Sequence, residues 1–398
     1  MVNPLLPIVI ALVTAYVFSE IMRLIKLPRV IGQLTAGFIL GIPFLKEYLF
    51  TPEASSILSF FANIGIILLF AFIGLEINLK DFKTHAKESL FIALFNTSIP
   101  LILGFLTSFY FFNLPVLVSL IIGIALSVSA QAISLDILEE AKLVKTKLAR
   151  LIITTGTVSD VFQFFLISIL LFIFGVSFAE KNWISLLAGI IFFLLLMTAL
   201  RYTLIPFALH MFEHDKSKPT LFMGALIIVL VIALLAESLQ VSALLGALLA
   251  GMIVRRILLT GKNKKPWEEH EIANAIHLIS FGMFVPLFFV WVGLQTSLFY
   301  VQEYALLILA LVLISLIGTI GGSIVGVLAA GRKWKEGLLV GWGVVPKGDT
   351  ELVIATLALT AGVISQGIFS AIVFSAFLVT IIGPIIFNLL IKKGYART

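Results

Sequence analysis

The chain has 398 residues, of which 61% are hydrophobic and 12% are charged, and its formal net charge is +6. Soluble domains carry about 25% charged residues, so this composition excludes an ordinary soluble protein and predicts an all-α polytopic membrane protein. The absence of cysteine excludes disulfides, thiolate catalysis and cysteine-based metal sites. The hydrophobic composition predicts contact with membrane lipid. Because no basic tract carries interleaved aromatic residues, we expect no contact with nucleic acid.

Hydrophobic runs of about 20 residues, the length that crosses a bilayer core, recur thirteen times along the chain. The predicted spans lie at residues 5–24, 30–44, 57–77, 88–111, 115–137, 149–174, 183–208, 220–238, 242–258, 273–295, 303–330, 336–361 and 367–391. The first run lacks a basic leading region and a small-residue cleavage site, so we interpret it as a retained span and not as a signal peptide.

Lys and Arg gather in the loops that follow odd-numbered spans and at the C-terminus. The loops on the opposite side hold only Lys46 and Lys181, and Lys347 lies within a span. Positive residues concentrate in cytoplasmic loops, so this asymmetry predicts an N-terminus outside the cell and a cytoplasmic C-terminus.

Two pairs of segments resemble each other at long range. The stretch GQLTAG at 32–37 is similar to GALLAG at 246–251, and LLFAFIGLEINL at 68–79 is similar to LFFVWVGLQTSL at 287–298. Both pairs are offset by seven spans, an odd number, so the two copies enter the membrane from opposite sides. The prediction is one membrane domain made of a first inverted repeat (1–174), a linker helix (183–208) and a second inverted repeat (220–393).

Inverted repeats predict a site near the bilayer midplane, built from interrupted helices in corresponding positions of the two halves. In the fifth span, ALSVSAQAIS breaks a hydrophobic run with hydroxyls and an amide, including Ser129 and Gln131. In the twelfth span, Pro346 and Gly348 weaken helix continuity around Lys347. We therefore expect both spans to be broken and to meet.

Asp160 is an acid in the middle of the sixth span. A carboxylate at the membrane centre costs about 2.5–3.5 kcal/mol even on the lenient insertion scale, so it usually faces a water-filled path and has a function. Such a group can hold a proton or bind a small cation such as Na⁺ or K⁺, with the hydroxyls of Thr157 and Ser159 as further oxygen ligands. The structural alternative is an ion pair with Lys347.

A second charged cluster consists of Lys347, Asp349 and Glu351, and we add Glu76 as a further charge partner in the membrane core. A fixed cation where two half-helices meet would neutralise carbonyl ends or pair with an acid. The alternative is a simple helical pair, since Lys347 and Glu351 are four residues apart.

Several of these segments together resemble the monovalent cation:proton antiporters, specifically the prokaryotic branch that contains Nap- and Kef-type proteins. They are PRVIGQLTAGFILG at 28–41, LLFAFIGLEINLKD at 68–81, the polar fifth span, Ser-Asp at 159–160 and VPKGDTELV at 345–353. The resemblance implies the Na⁺/H⁺ antiporter fold, with crossed broken helices, a dimerisation domain, a mobile core domain and elevator-type alternating access in a homodimer. It also implies a prokaryotic inner or plasma membrane, no cofactor and no enzymatic activity.

Carried over residue by residue, the family's acidic pair falls on Ser159 and Asp160, so only the second acid is present. The family's PRGE falls on residues 346–349. A lysine of the electrogenic members falls on Thr319. A single carboxylate that trades one proton for one monovalent cation moves no net charge, so we expect electroneutral 1:1 exchange. Oxygen ligands at flexible distance accommodate Na⁺, K⁺ and Li⁺ alike, and among these we favour Na⁺ over K⁺. Kef-type members continue into a regulatory domain, whereas this sequence stops shortly after the thirteenth span, so we expect any such control from a separate subunit.

Other functions share parts of this pattern. A K⁺ efflux system of Kef type, or a channel, would use the same fold, and a channel would pass cations without exchanging protons. A Na⁺-coupled organic-anion symporter would need a larger polar cavity than one Asp and a few hydroxyls. An intramembrane aspartyl protease needs Y-D and G-x-G-D contexts, and neither Asp160 nor Asp349 has one.

Overall fold

The structure is a computed structural model that describes residues 5–76, 82–130, 133, 134, 138, 143, 146–174, 218–238, 243–260 and 266–393. The regular elements in this part of the chain are all helical, as the composition predicts. They are α1 (Leu5–Leu24), α2 (Arg29–Leu40), α3 (Pro43–Leu49), α4 (Pro52–Glu76), α5 (Phe82–Leu106), α6 (Val116–Ser127), α7 (Lys147–Phe174), α8 (Lys218–Ser238), α9 (Ala243–Thr260), α10 (Pro266–Ile279), α11 (Val285–Gln295), α12 (Leu298–Glu303), α13 (Ala305–Ala329), α14 (Trp334–Val344), α15 (Asp349–Thr360) and α16 (Gln366–Lys392). Single π-helical turns at Thr107–Phe111 and Ser280–Phe284 extend α5 and join α10 to α11.

Seven described helical segments are long and apolar enough to cross a membrane. They are Leu5–Leu24, Pro52–Leu75, Glu88–Phe111, Pro219–Ser238, Ala273–Gln295, Ala305–Ala329 and Gln366–Lys392. An eighth results if α2 and α3, which meet at an angle of 84°, form one bent span. The fifth and twelfth predicted spans coincide with shorter helices, and the seventh, at 183–208, lies outside the described residues. The chain is therefore an integral membrane protein with several spans, and the count of thirteen stays a prediction.

The chain divides into two compact units. One consists of Met1–Ser55, Asn78–Ile167 and Phe289–Thr398, and the other of Ser56–Ile77 and Ser168–Phe288. Each unit draws segments from both predicted repeats, so this division leaves the repeat assignment a prediction. Apart from Glu76, the site residues described below belong to the first unit.

Within the first unit, α5 and α13 approach each other closely because glycine recurs every four residues on α13. A Cβ atom would lie 2.8 Å from the Pro100 Cα at Gly318, 2.4 Å from the Phe95 carbonyl oxygen at Gly322 and 2.5 Å from the Ile92 Cα at Gly326. Small residues let membrane helices pack backbone to backbone, since lipid supplies no hydrophobic force that would bring them together. This packing places Asn96 of α5 directly beside α13.

Two helices break where the sequence predicts interruptions. Helix α6 ends at Ser127 and the chain continues in an extended conformation at Val128. Helix α14 ends at Val344 and α15 begins at Asp349, with Pro346 in the gap. Proline has no N–H group to donate, so the helical hydrogen bond that residue 346 would otherwise make is lost. The two breaks lie against each other, since the Ala130 N–H donates to the Pro346 carbonyl at 2.9 Å.

Candidate functional site

The ammonium group of Lys347 joins the two breaks. This side chain is 1% exposed, and its Nζ donates to the Leu126 carbonyl at 2.7 Å and to the Val128 carbonyl. The last carbonyls of a helix lack intrahelical donors and carry the negative end of the helix dipole. A lysine has three N–H donors, so Lys347 satisfies two carbonyls at the end of α6 and neutralises that end.

The main chain of Lys347 is held from a third helix. Its N–H donates to the Thr380 hydroxyl at 3.1 Å, and the same hydroxyl donates to the Lys347 carbonyl. Thr380 is buried on α16. Sequence reasoning missed this residue; its only signal was a single hydroxyl in the apolar run FLVTIIG. Both the main chain and the side chain of Lys347 are therefore fixed.

Asp160 lies on α7, and its side chain and that of Thr157 are outside the described residues. Its neighbour Ser159 is fully buried and donates to the Asn96 Oδ1 at 3.2 Å. The Thr97 hydroxyl donates to the same oxygen at 3.2 Å. Asn96 is a second residue that sequence reasoning missed, although an amide within the apolar fourth span was a visible signal.

The polar residues after the break in the fifth span are only partly described. Ser129 is buried beside the Val128 carbonyl that Lys347 binds, and Gln131 lies outside the described residues. The Ser134 hydroxyl donates to the Ala130 carbonyl at 3.1 Å, as does its N–H. The chain thus resumes helical hydrogen bonding shortly after the break.

The acids of the second charged cluster have different surroundings. Asp349 is the first residue of α15, and its carboxylate accepts from the Thr350 N–H at 2.9 Å, which satisfies a donor at the start of the helix. Glu351 is 0% exposed, and neither carboxylate oxygen has a hydrogen-bond partner among the described residues. A simple helical pair of Lys347 with Glu351 requires a continuous helix, whereas α15 begins only after Lys347. Glu76 is the last residue of α4, and its side chain is not described.

Helix α13 carries a row of buried hydroxyls on one face. In the described part of the chain these hydroxyls have no hydrogen-bond partner, and they belong to Ser315, Thr319 and Ser323. Hydroxyls on other helices donate to the carbonyl four residues earlier, each at 2.7 Å: Thr14 to Ile10, Thr35 to Ile31 and Thr356 to Leu352. The row on α13 therefore offers oxygens that water or an ion can use.

Comparison with known proteins agrees with this geometry. Residues 8–393 match the family described as "Sodium/hydrogen exchanger, transmembrane". A Na⁺/H⁺ antiporter of Enterococcus hirae is 28% identical over 387 residues, which is 97% of each chain. The Na⁺/H⁺-K⁺ antiporter GerN of Bacillus cereus is 27% identical over 361 residues, 90% of this chain and 88% of that protein.

The fold has a counterpart among solved structures. The sodium proton antiporter MjNhaP1 of Methanocaldococcus jannaschii superposes with a TM-score of 0.73 at 19% sequence identity, covering 98% of this chain and 97% of that one. The match to the family extends over nearly the whole chain, including the broken helices and the buried lysine that joins them. The chain therefore belongs to the sodium/hydrogen exchanger family, within the monovalent cation:proton antiporter superfamily.

Proposed function

We propose that this protein exchanges a monovalent cation, Na⁺ rather than K⁺, for H⁺ across the membrane, and that Asp160 carries both ions in turn. The observation that carries this proposal is the buried contact between two broken helices, where Lys347 binds the end of α6 in the same unit as Asp160. A broken helix frees main-chain carbonyls inside the membrane, and such carbonyls take the place of water around a cation. The names of the relatives in Enterococcus hirae and Bacillus cereus support cation and proton as the exchanged pair.

The cation site combines oxygen atoms from two segments. We assign Asp160, Ser159 and Thr157 on α7, together with Ser129 and Gln131 beyond the break in the fifth span. The hydrogen bond from Ser159 to Asn96 supports this site because it holds the residue next to Asp160 in place. We infer that the ion is a transported substrate, and no resident cofactor enters the mechanism.

We infer electroneutral 1:1 exchange, and the charges in the core support it. Lys347 is a cation that donates to two main-chain carbonyls, and it stays in the core whichever ion is bound. Thr319, where electrogenic members have a lysine, is buried and neutral. If Asp160 binds either one proton or one cation, the loaded core carries the same charge in both directions, and the exchange rate does not respond to membrane potential.

We further propose two inverted repeats, and matching glycine contacts support them. In the alignment of the repeats, Gly37 corresponds to Gly251 and Gly74 corresponds to Gly293. A Cβ on Gly37 would lie 2.7 Å from the Gly293 Cα, and a Cβ on Gly251 would lie 2.9 Å from the main-chain nitrogen of Leu75, next to Gly74. Each repeat therefore uses the same glycines for a close helix contact with the other repeat.

Two basic side chains make equivalent hydrogen bonds in the two proposed repeats. The Lys46 Nζ donates to the Leu294 carbonyl at 3.2 Å, and the Arg255 guanidinium donates to the Leu75 carbonyl at 2.7 Å. Leu75 and Leu294 occupy the same position in the aligned segments 68–79 and 287–298. Both cations thus bind a carbonyl near the C-terminal end of a helix, where the helix dipole is negative.

The remaining features are proposed on the same basis. They are thirteen spans, an N-terminus outside and a cytoplasmic C-terminus, a prokaryotic plasma membrane, a homodimer with elevator-type alternating access, and regulation through a separate subunit where it exists. K⁺ stays the second candidate ion, because the relative in Bacillus cereus is named for both Na⁺ and K⁺.

Purified protein in liposomes with a trapped pH-sensitive dye tests this function. Na⁺ or K⁺ is added outside, with and without a clamped membrane potential, for the wild type and for Asp160→Asn. We expect cation-dependent proton movement that is unchanged by the clamp and absent from the variant. Cation flux without proton movement, or full activity of Asp160→Asn, would contradict the proposal and return the channel and the symporter as explanations.

A further inference from the structure

Glu351 is a buried acid that the exchange mechanism above does not use. It lies in the first turn of α15, directly after the break in the twelfth span, with 0% of its surface exposed. Neither of its carboxylate oxygens has a hydrogen-bond partner in the described part of the chain. Asp349, two residues earlier, differs because its carboxylate accepts from the Thr350 N–H.

Two helices of the described part of the chain, α6 and α16, pack against α15. Helix α6 contains no titratable residue, and α16 contains only Lys392, at its far end. On its own segment the charged groups are Asp349 and Lys347, and Lys347 lies four residues before Glu351. The side chain of Asp160, on α7, lies outside the described residues.

Lys347 does not form an ion pair with Glu351 within the described residues, because its ammonium group donates to the carbonyls of Leu126 and Val128. A buried carboxylate without a hydrogen-bond donor is very unfavourable, and such a group takes up a proton instead. The arrangement in the structure is thus that of a neutral carboxylic acid beside a lysine that already has other partners.

We propose that Glu351 is a second proton-binding site in the membrane core, separate from the ion-exchanging Asp160, and that its proton controls which partner Lys347 holds. With the proton bound, Lys347 binds the end of α6. When the proton leaves, the new carboxylate attracts the ammonium group located four residues before it and weakens its hold on the Leu126 and Val128 carbonyls. The connection between the two broken helices therefore depends on pH.

This second site leaves the 1:1 exchange unchanged. Glu351 lies four residues after the cation Lys347 and has no hydroxyl or amide partner among the described residues, so it lacks the oxygen shell that a monovalent cation needs. Its proton sets the state of the core and is not exchanged for a cation. The inference rests on the proposed function only for its effect on transport, since proton binding itself can be observed without transport.

Infrared spectroscopy of the purified protein tests the site. Exposed carboxyl groups are ionised at neutral pH, so a C=O stretch of a protonated carboxyl there reports buried acids. In an Asp160→Asn background, which removes the exchanging acid, we expect this band at neutral pH and its loss as the pH becomes alkaline. The band should be lost when Glu351→Gln is added and kept when the matched control Asp349→Asn is added.

The outcomes separate this inference from the proposed function. Absence of the band from the Asp160→Asn protein, or its persistence after Glu351→Gln is added, would overturn the second proton site even if antiport is fully established. The infrared band reports the protonation of Glu351 without any transport. It therefore tests the second proton site even if Glu351→Gln transports poorly or the exchange proposal fails. In liposomes, we expect Glu351→Gln to lose a titration step from the pH profile of exchange, and an unaltered profile would overturn the control of transport by this proton.

Discussion

At the residue scale, Asn96 supports the proposed cation site indirectly. Its amide oxygen accepts from Ser159 and from Thr97, and Ser159 precedes Asp160 in the chain. An amide that holds a neighbouring ligand in one orientation reduces the reorganisation that binding requires. Asn96 is therefore a positioning residue and has no direct contact with the cation in our proposal.

We expect Asn96→Ala to raise the cation concentration for half-maximal exchange by about twofold to twelvefold, the equivalent of one hydrogen bond of about 0.5–1.5 kcal/mol. The maximal rate should change less, since Asp160 remains. Thr97→Val is the matched control, because it removes the other donor to Asn96 and leaves the Ser159 contact in place. Equal effects of both variants on half-saturation would argue against the positioning role.

We expect Lys347 to stabilise the contact between the two broken helices more than any other side chain in the described part of the chain. Lys347→Met keeps a long side chain but removes the donors to the Leu126 and Val128 carbonyls. A buried carbonyl without a donor costs about 1–3 kcal/mol, so we expect a clear fall in the melting temperature of the detergent-solubilised protein. Lys333→Gln, an exposed lysine at the start of α14, serves as control. A melting temperature as high as that of the control would show that the two carbonyls need no ammonium group.

At the element scale, the contact between α5 and α13 depends on glycine at one register only. Gly321 and Gly322 are adjacent on α13, yet a Cβ on Gly321 would meet nothing within 4 Å, whereas a Cβ on Gly322 would lie 2.4 Å from the Phe95 carbonyl oxygen. The same substitution, glycine to alanine, at these two adjacent positions therefore tests the packing of α5 against α13.

We expect Gly322→Ala to destabilise the protein by about 1–3 kcal/mol, because the two helices must separate, while Gly321→Ala should be neutral or slightly stabilising in a helix. Thermal unfolding in detergent measures both. The expectation fails if the two alanines have the same effect on the unfolding temperature.

The broken helices also show why the sequence located the site only in outline. Serines in the fifth span and Pro346 in the twelfth predicted the breaks, since serine hydroxyls compete for main-chain hydrogen bonds and proline has no N–H to donate. The partners of Lys347 could not be predicted in this way. They are main-chain carbonyls, and any residue type at 126 and 128 would present the same atoms.

At the scale of the whole molecule, the proposed orientation places α3 outside the cell and the loop before α14 in the cytoplasm. Because the chain has no cysteine, single cysteines report on each side. We expect Tyr48→Cys, 78% exposed on α3, to react with a membrane-impermeant thiol reagent added to intact cells. Lys333→Cys should react only after the membrane is opened. The reverse pattern would invert the topology.

Voltage sensitivity is also a property of the whole molecule. The charge that moves across the membrane is the summed charge of the residues that move and of the ion bound to them. Thr319→Lys adds a buried cation to that sum, and moving one elementary charge through the membrane potential changes the energy by about 2.3 kcal/mol per 100 mV. We expect exchange in this variant to depend on the clamped potential, while Thr319→Val stays insensitive. A voltage response of wild type would contradict the electroneutral proposal directly.

The sequence by itself determined the membrane environment, the all-helical class, the positions of the two breaks and the family. These properties follow from hydrophobic length and from local competition for main-chain hydrogen bonds, and both can be read along the chain. The tertiary structure alone decided that Lys347 binds the end of α6, that Thr380 binds the main chain of Lys347, that Asn96 accepts from Ser159, and that Glu351 has no donor among the described residues. The physical reason is that each of these facts depends on which atoms from distant segments meet inside the membrane, where every polar group must find a partner in the protein, in trapped water or in an ion.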